Sequence, residues 1–185
     1  MLLQTHRLFL RAPEPTDLDF LYLFENDTTL WPVSLSLAPF SKEVLRQYLE
    51  NASLDIYAAR QLRLMVCLQQ GQTVIGTVDL FDFEPLHRRA GVGIAVMQEY
   101  RGKGYAREAL QLLEFYAAQV LQLHQLSCSV TANNGASLAL FRQLNYTQVG
   151  VRQDWLKTPT GWQDVVEFQK ILSLGGSSKD AQLTG

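Results

Sequence analysis

The spacing of apolar and polar positions changes several times along the chain, and each change marks an element. Thr5 to Arg11 alternates, with Leu8 and Leu10 on one face and Arg7, Phe9 and Arg11 on the other, which predicts a first strand. Pro13 and Pro15 end it, and Thr16-Asp-Leu-Asp19 has the form of a capping box opening a short helix over Leu18 to Phe24. Glu25 to Phe40, with Asn26, Pro32 and Pro39 around Trp31, predicts an irregular connector. Ser41 can cap a second helix, whose Val44, Leu45, Tyr48, Leu49 and Ala52 share one face. Leu62 to Leu68 and Thr73 to Phe83 are strand-like runs around the turn Gln69-Gln-Gly-Gln72, and they predict a hairpin. After Pro85-Leu-His-Arg-Arg89 breaks the pattern, Ala90 to Val96 returns as the last of three successive antiparallel strands.

Helical spacing then takes over: Ala106, Ala109, Leu110, Leu113, Tyr116, Ala117, Val120 and Leu121 line up on one face. Leu126 to Val130 alternates strictly as a further strand, and Thr131-Ala-Asn-Asn-Gly135 is turn chemistry. A helix follows over Ser137 to Leu144, with Asn134 able to cap it. An extended segment from Asn145 to Trp155, the turn Thr158-Pro-Thr-Gly161 and a final strand from Trp162 to Leu172 form a closing hairpin. From Ser173 onward no apolar period remains, so residues 173–185 are expected to be a disordered tail behind a single domain over 1–172. This order predicts an α+β fold with a mixed, mostly antiparallel central sheet flanked by helices.

Composition narrows the function. The chain has 185 residues, 47% of them hydrophobic, enough for one domain with a substantial core. Sixteen basic against 18 acidic residues give a formal charge of −2, so no global basic field points to nucleic acid or to an anionic membrane. There is no run of 18 apolar residues and no signal-like apolar core, from which a cytoplasmic location is expected. Cys67 and Cys128 are too few for a disulfide framework or a Cys-rich zinc site; they are expected to be buried, reduced thiols, and no metal is expected.

The informative stretch is Gln98-Glu-Tyr-Arg-Gly-Lys-Gly-Tyr-Ala-Arg-Glu-Ala-Leu110, between a predicted strand and a predicted helix. A helix begins with amide groups that have no intrahelical acceptor, at the positive end of its dipole. Gly102 and Gly104 let an anion approach the backbone, and Arg101, Lys103 and Arg107 add positive charge, so a pyrophosphate is the expected ligand. The stretch is neither G-x-x-x-x-G-K-[ST] nor G-x-G-x-x-G.

It matches [QR]-x-x-G-x-[GA] through Arg101, Gly104 and Ala106, and so resembles the acetyl-CoA signature of the GNAT N-acetyltransferases. Thr5-His-Arg-Leu-Phe-Leu-Arg11 and Asn134 followed by Ala139-Leu-Phe-Arg-Gln-Leu-Asn-Tyr146 extend the resemblance over residues 5 to 172, in the manner of the polyamine and ribosomal-protein acetyltransferases. The resemblance implies direct acetyl transfer from acetyl-CoA to a primary amine, on a polyamine-like small molecule or a protein N-terminus, without a metal. It implies that Ile94, Ala95 and Val96 offer backbone groups to the pantetheine arm and acetyl carbonyl. Arg101, Gly102, Lys103, Gly104, Tyr105, Ala106 and Arg107 would hold the pyrophosphate, and Asn134 would bond the arm near the thiol.

Two departures from that pattern stand out. Phe141 occupies a cofactor-side position where the polyamine-like members have a Tyr that protonates the leaving thiolate. Gly91-Val-Gly93 replaces a segment where many relatives carry a basic Glu, which leaves mid-strand Asp79 as the candidate base, with Asp82 and Glu84 available to attract a cationic acceptor. Tyr146 is assigned to the core, His87 to the surface, and Trp155 and Trp162 to packing of the last hairpin. These departures favour, as the alternative, a non-catalytic acyl-CoA-binding or regulatory module. Edge strands in such a sheet also invite pairing of two copies as a homodimer.

Overall fold

A computed structural model describes residues 3–31, 38–51, 55–158 and 160–172. The proposed tail and Ala52 lie outside them. Its strands are β1 (Leu8–Arg11), β2 (Leu62–Leu68), β3 (Val74–Glu84), β4 (Arg89–Val96), β5 (Gln125–Thr131), β6 (Thr147–Thr158) and β7 (Gly161–Ile171). Its principal helices are α1 (Leu18–Glu25), α2 (Lys42–Asn51), α3 (Tyr105–Gln119) and α4 (Gly135–Gln143).

The strands form one seven-stranded sheet in the order β1-β2-β3-β4-β5-β7-β6. As the strand-like runs and the turns between them predict, β2, β3 and β4 run antiparallel in succession. The closing hairpin enters backwards: the Val165–Ile171 part of β7 pairs with the whole of β5, leaving β6 as the outer edge.

Two apolar layers sandwich the β1 to β4 half of the sheet. On one face Leu21 of α1 and Leu45 and Leu49 of α2 pack on Met65 and Cys67. On the other, Ala109, Leu110, Leu113 and Ala117 of α3 cover Leu8, Leu10, Val66, Val78 and Leu80, all buried. Phe9, between Leu8 and Leu10, packs into the first layer, so the alternation of β1 serves both cores. Truncating any of the fully buried leucines to Ala would cost about 2–5 kcal/mol.

Three local predictions are corrected. β1 begins at Leu8 because the Thr5 hydroxyl accepts the amides of Arg7 and Leu8, each at 3.1 Å, and bends the preceding chain. The capping interaction lies earlier than Thr16: the Asp17 carboxylate accepts the Glu14 amide at 2.7 Å, and a 3₁₀ turn over Pro15–Asp17 precedes α1. Arg11 holds Asp17 there with two 2.7 Å bonds, whereas Asp19 points outward to Lys42. Val44 is half exposed and leaves the apolar stripe of α2 to Leu45, Tyr48 and Leu49.

Candidate active site

β4 and β5 are parallel neighbours, yet they pair only at Arg89–Gln125, Ala90–Leu126 and Gly91–Ser127. Beyond Gly91, β4 stays with β3 and β5 stays with β7, so the two strands part. A cleft of about 230 Å³ opens between them, with Val92, Gly93 and Ile94 on one wall, Cys128 to Thr131 on the other, and Asn134, Ser137 and Phe141 behind. None of the side chains lining it is charged.

Parting leaves β4 backbone groups without a partner strand on that side. The Val96 carbonyl accepts Arg101 Nε at 2.8 Å, so it points away from β3. Alternation along an antiparallel ladder then turns the Ile94 N–H and C=O the same way, toward the cleft. Ala95 faces oppositely, its carbonyl against Gly76 of β3. Of the three β4 residues named from the sequence, Ile94 therefore presents free backbone to the cleft, Val96 presents a carbonyl taken by Arg101, and Ala95 is turned into the ladder.

The predicted anion turn sits at the end of β4. Gly102 and Gly104 have φ of +74° and +83°, a left-handed backbone that residues with a Cβ seldom adopt, and Gly104 directly precedes α3. The first amides of Tyr105, Ala106 and Arg107 are those a helix cannot satisfy itself. Arg101, Lys103 and Arg107 are exposed around them. Arg101 also fastens the turn to the strand end through Val96.

Strand β1 grips the same turn from the side. Arg7 donates Nη1 to the Lys103 carbonyl at 3.0 Å and Nε and Nη2 to Glu108 Oε2 at 2.8 and 2.5 Å. Its guanidinium lies 4.9 Å from the centroid of the Tyr105 ring, and the Thr5 hydroxyl bonds the other Glu108 oxygen. Sequence reasoning used the Thr5 to Arg11 stretch as a mark of resemblance and missed this contact, which joins residues about a hundred positions apart.

Asn134 caps α4, its Oδ1 accepting the Ser137 amide at 3.1 Å, and it also lines the cleft. Phe141 forms the cleft floor but is 4% exposed, with its ring edge-on to Tyr146 at 5.0 Å and stacked near Phe168. The Tyr146 hydroxyl is buried outside the cleft lining, where burial and the Glu114 carboxylate push its pKa up. Hydroxyls that do line the cleft belong to Ser129, Thr131 and Ser137. Cys128 lies on the wall with its thiol pushed up to about 12 by burial and the neighbouring Glu167 charge.

Asp79 belongs to a cross-strand row, Arg63–Asp79–Gly93, that runs over β2, β3 and β4 to the cleft wall. Arg63 holds it: Nε meets Asp79 Oδ1 at 2.6 Å while Nη1 meets Glu25 Oε1 at 2.5 Å, beneath the Tyr48 ring. Thr77 Oγ1 bonds the second Asp79 oxygen at 3.3 Å. Asp82, with φ of +49°, lies in a bulge between Phe81 and Glu84, and Glu84 is taken by Arg89 at 2.6 and 2.9 Å. Phe81 lies across the two glycines of β4. A Cβ on Gly91 would come within 2.2 Å of the Phe81 ring, and one on Gly93 within 3.5 Å. That close approach was signalled by the glycine pair inside a strand. Trp155, assigned to packing, is instead 54% exposed and lines the cleft mouth, while Trp162 is exposed as well.

A slot between two parted strands, uncharged along its length and ending at an anion-binding helix start, suits a long thioester arm that carries phosphates at its far end. It defines an acyl-CoA-dependent acyltransferase. The profile of the acetyltransferase (GNAT) domain matches residues 7–147. Uncharacterized N-acetyltransferase p20 of Bacillus licheniformis is 28% identical over 91% of this chain and 95% of its own. Spermidine N(1)-acetyltransferase of Vibrio cholerae is 26% identical over 78% of this chain and 81% of its own. The crystal structure of spermidine N-acetyltransferase from Vibrio cholerae in complex with CoA and spermine superposes with a TM-score of 0.82, at 24% identity, over 91% of this chain and 97% of that one. The chain belongs to the GNAT acetyltransferase family: it is an N-acetyltransferase with acetyl-CoA as its co-substrate. Among the described residues no helix is long and apolar enough to cross a membrane.

Proposed function

We propose that the protein acetylates a primary amine that reaches the cleft from the sheet face bearing Phe81 and Asp79. The parting of β4 from β5 directly above the glycine turn carries this reading, because it joins a slot for the pantetheine arm to a seat for the pyrophosphate. Bound there, acetyl-CoA supplies the activated acetyl group. Gly102, Lys103, Gly104, Tyr105, Ala106 and Arg107 hold its pyrophosphate through amides and charge, with Arg101 bracing the turn. Ile94 orients the arm and polarises the acetyl carbonyl through its free backbone, and Asn134 bonds the arm near the thiol. Phe141 supplies an apolar floor.

N-acetylation forms a C–N bond, breaks the thioester C–S bond with its electron pair passing to sulfur, and takes two protons from the ammonium, of which one ends on sulfur and one is released. Asp79, one strand from Gly93, takes that proton through water. The thiolate is protonated from water or by a cleft hydroxyl, since Phe141 has none. Direct transfer is supported by Cys128: a wall thiol held near 12 has almost no thiolate at neutral pH to act as an acyl carrier.

The domain is taken to span residues 1–172, and the buried, unpaired Cys67 and Cys128 suit a reducing cytoplasm. Two copies pair along the exposed edge strand β6, where Val149 and Val151 lie open.

Release of free thiol from acetyl-CoA across a panel of amines, polyamines and N-terminal peptides, with calorimetric acetyl-CoA binding alongside, tests the reading. Turnover with one acceptor class supports it. Tight binding without turnover would favour the binding-only module that Phe141 suggests, and absence of binding would overturn the assigned site.

A further inference from the structure

Beside the cleft, on the same sheet face, runs a second groove of about 260 Å³ in which Phe81 is again a wall. The ring therefore separates and lines both spaces, and at 40% exposure it presents an apolar platform where an acceptor must turn toward the acetyl group. The two β4 glycines make room for it: any side chain at 91 would displace the ring. Trp155, Leu156 and Val165 continue the apolar surface at the cleft mouth.

The groove carries three carboxylates, Asp82, Glu84 and Glu167, against two guanidiniums, Arg89 and Arg152. Glu84 is bound by Arg89, and Glu167 by Arg152 at 3.1 Å with Ser129 on its other oxygen at 2.9 Å. Arg152 is itself stacked 4.6 Å from the Trp155 ring centre. Toward the α2 side, Arg63 bridges both Asp79 and Glu25. Asp82 is thus the one groove carboxylate with no ion pair among the described residues, and the groove has an excess of a single negative charge. The connector between α1 and α2 carries one charge, Asp27, whose Oδ1 accepts the Thr29 amide at 2.9 Å.

We propose, on the basis of the transferase reading above, that the preferred acceptor is a lone primary amine borne on an apolar body that seats on Phe81. A polyamine brings further ammonium groups, and each would have to compete with an arginine for its carboxylate, because Asp82 alone of the groove carboxylates lacks an ion pair among the described residues. One ammonium is matched by Asp82 and by the excess charge. The apolar body removes ring surface of Phe81 and Trp155 from water, which is worth tens-fold in affinity for a group of a few carbons. Small aromatic or aliphatic monoamines and the N-termini of peptides beginning with an apolar residue share this chemistry.

The test uses the full chain, saturating acetyl-CoA and thiol release with phenethylamine, a tetrapeptide with an apolar N-terminal residue, and spermidine. Phenethylamine or the peptide is expected to exceed spermidine in kcat/KM by about tenfold or more, with weak dependence on salt, and whichever is faster distinguishes small amine from peptide. Phe81→Asp is expected to reverse the order by lowering kcat/KM for the apolar amine about tenfold and raising it for spermidine, and the ratio of the two at saturating acetyl-CoA is independent of any change in co-substrate affinity. Faster turnover of spermidine by the unaltered protein, or no shift in preference in Phe81→Asp, would overturn the proposal and leave the transferase reading standing. Thiol release with no amine at all would overturn both.

Discussion

At the end of β4 the site is made of backbone: two glycines at positive φ, the first amides of α3, and a turn braced by Arg101 and Arg7. Across the cleft mouth, around Phe81, it is made of side chains that hold one another: Arg63 with Glu25 and Asp79, Arg89 with Glu84, Arg152 with Glu167. The first arrangement suits a pyrophosphate through donors that every helix start offers. The second has no generic part. Each carboxylate is available to an acceptor only as far as its arginine allows, so a single substitution there redirects specificity while the donor end stays as it was.

The sharpest way to break that contrast is Gly104→Glu. It forces a side chain onto a φ of +83° and sets a negative charge in the cradle, and acetyl-CoA affinity measured by calorimetry is expected to fall at least about 100-fold. Unchanged affinity would remove the turn from the donor site. On the acceptor side, Asp79→Asn is expected to lower kcat by about 10²-fold while leaving acetyl-CoA affinity alone. A kcat equal to the parent's excludes Asp79 as the proton acceptor.

Arg7→Gln separates brace from cradle. It is expected to raise KM for acetyl-CoA about tenfold with kcat within about twofold, and to leave unchanged the reaction of S-acetylpantetheine, a donor without the pyrophosphate. An equal loss with the short donor would mean that Arg7 only stabilises the fold. The smallest effect on catalysis belongs to Asp17→Asn. Burial opposes ionisation of Asp17, but the Arg11 pair and the Glu14 amide hold its carboxyl below the usual range. That contribution is present at neutral pH and vanishes as the pH drops through the lowered value. The variant should be about 1–3 kcal/mol less stable at pH 7 by denaturant titration, and the gap should close below about pH 4, with kcat unaffected.

Most of the fold was legible because its signals are local. The strand-like runs of β2 and β3, the alternation of β5, the helical spacing of α3 and the two glycines of the turn are each read from one short contiguous stretch. What failed or was missed depends on partners distant in the chain. Asp79 looked like an unpaired mid-strand acid because Arg63 and Glu25 reach it only through strand register and the packing of α1. Phe81 attracted no notice, although Gly91 and Gly93 were its imprint. Trp155 was assigned to packing because an aromatic in a hairpin is usually covered, whereas the bulge between Arg152 and Leu156 leaves it at the open mouth. The capping interaction before α1 shifted because Arg11 selects Asp17 over Asp19.

The grip of Arg7 on the glycine turn ties the co-substrate seat to a four-residue strand at the rim of the sheet. Short edge strands sit at the low end of a protein's local opening energies. Undocking of β1 would release Lys103 and Glu108 together, so opening of the N-terminal segment and loss of the cradle become one event. If the proposed cradle holds acetyl-CoA, its occupancy would latch the amino terminus, and the amides of Phe9 and Leu10 should exchange with deuterium more slowly when acetyl-CoA is present.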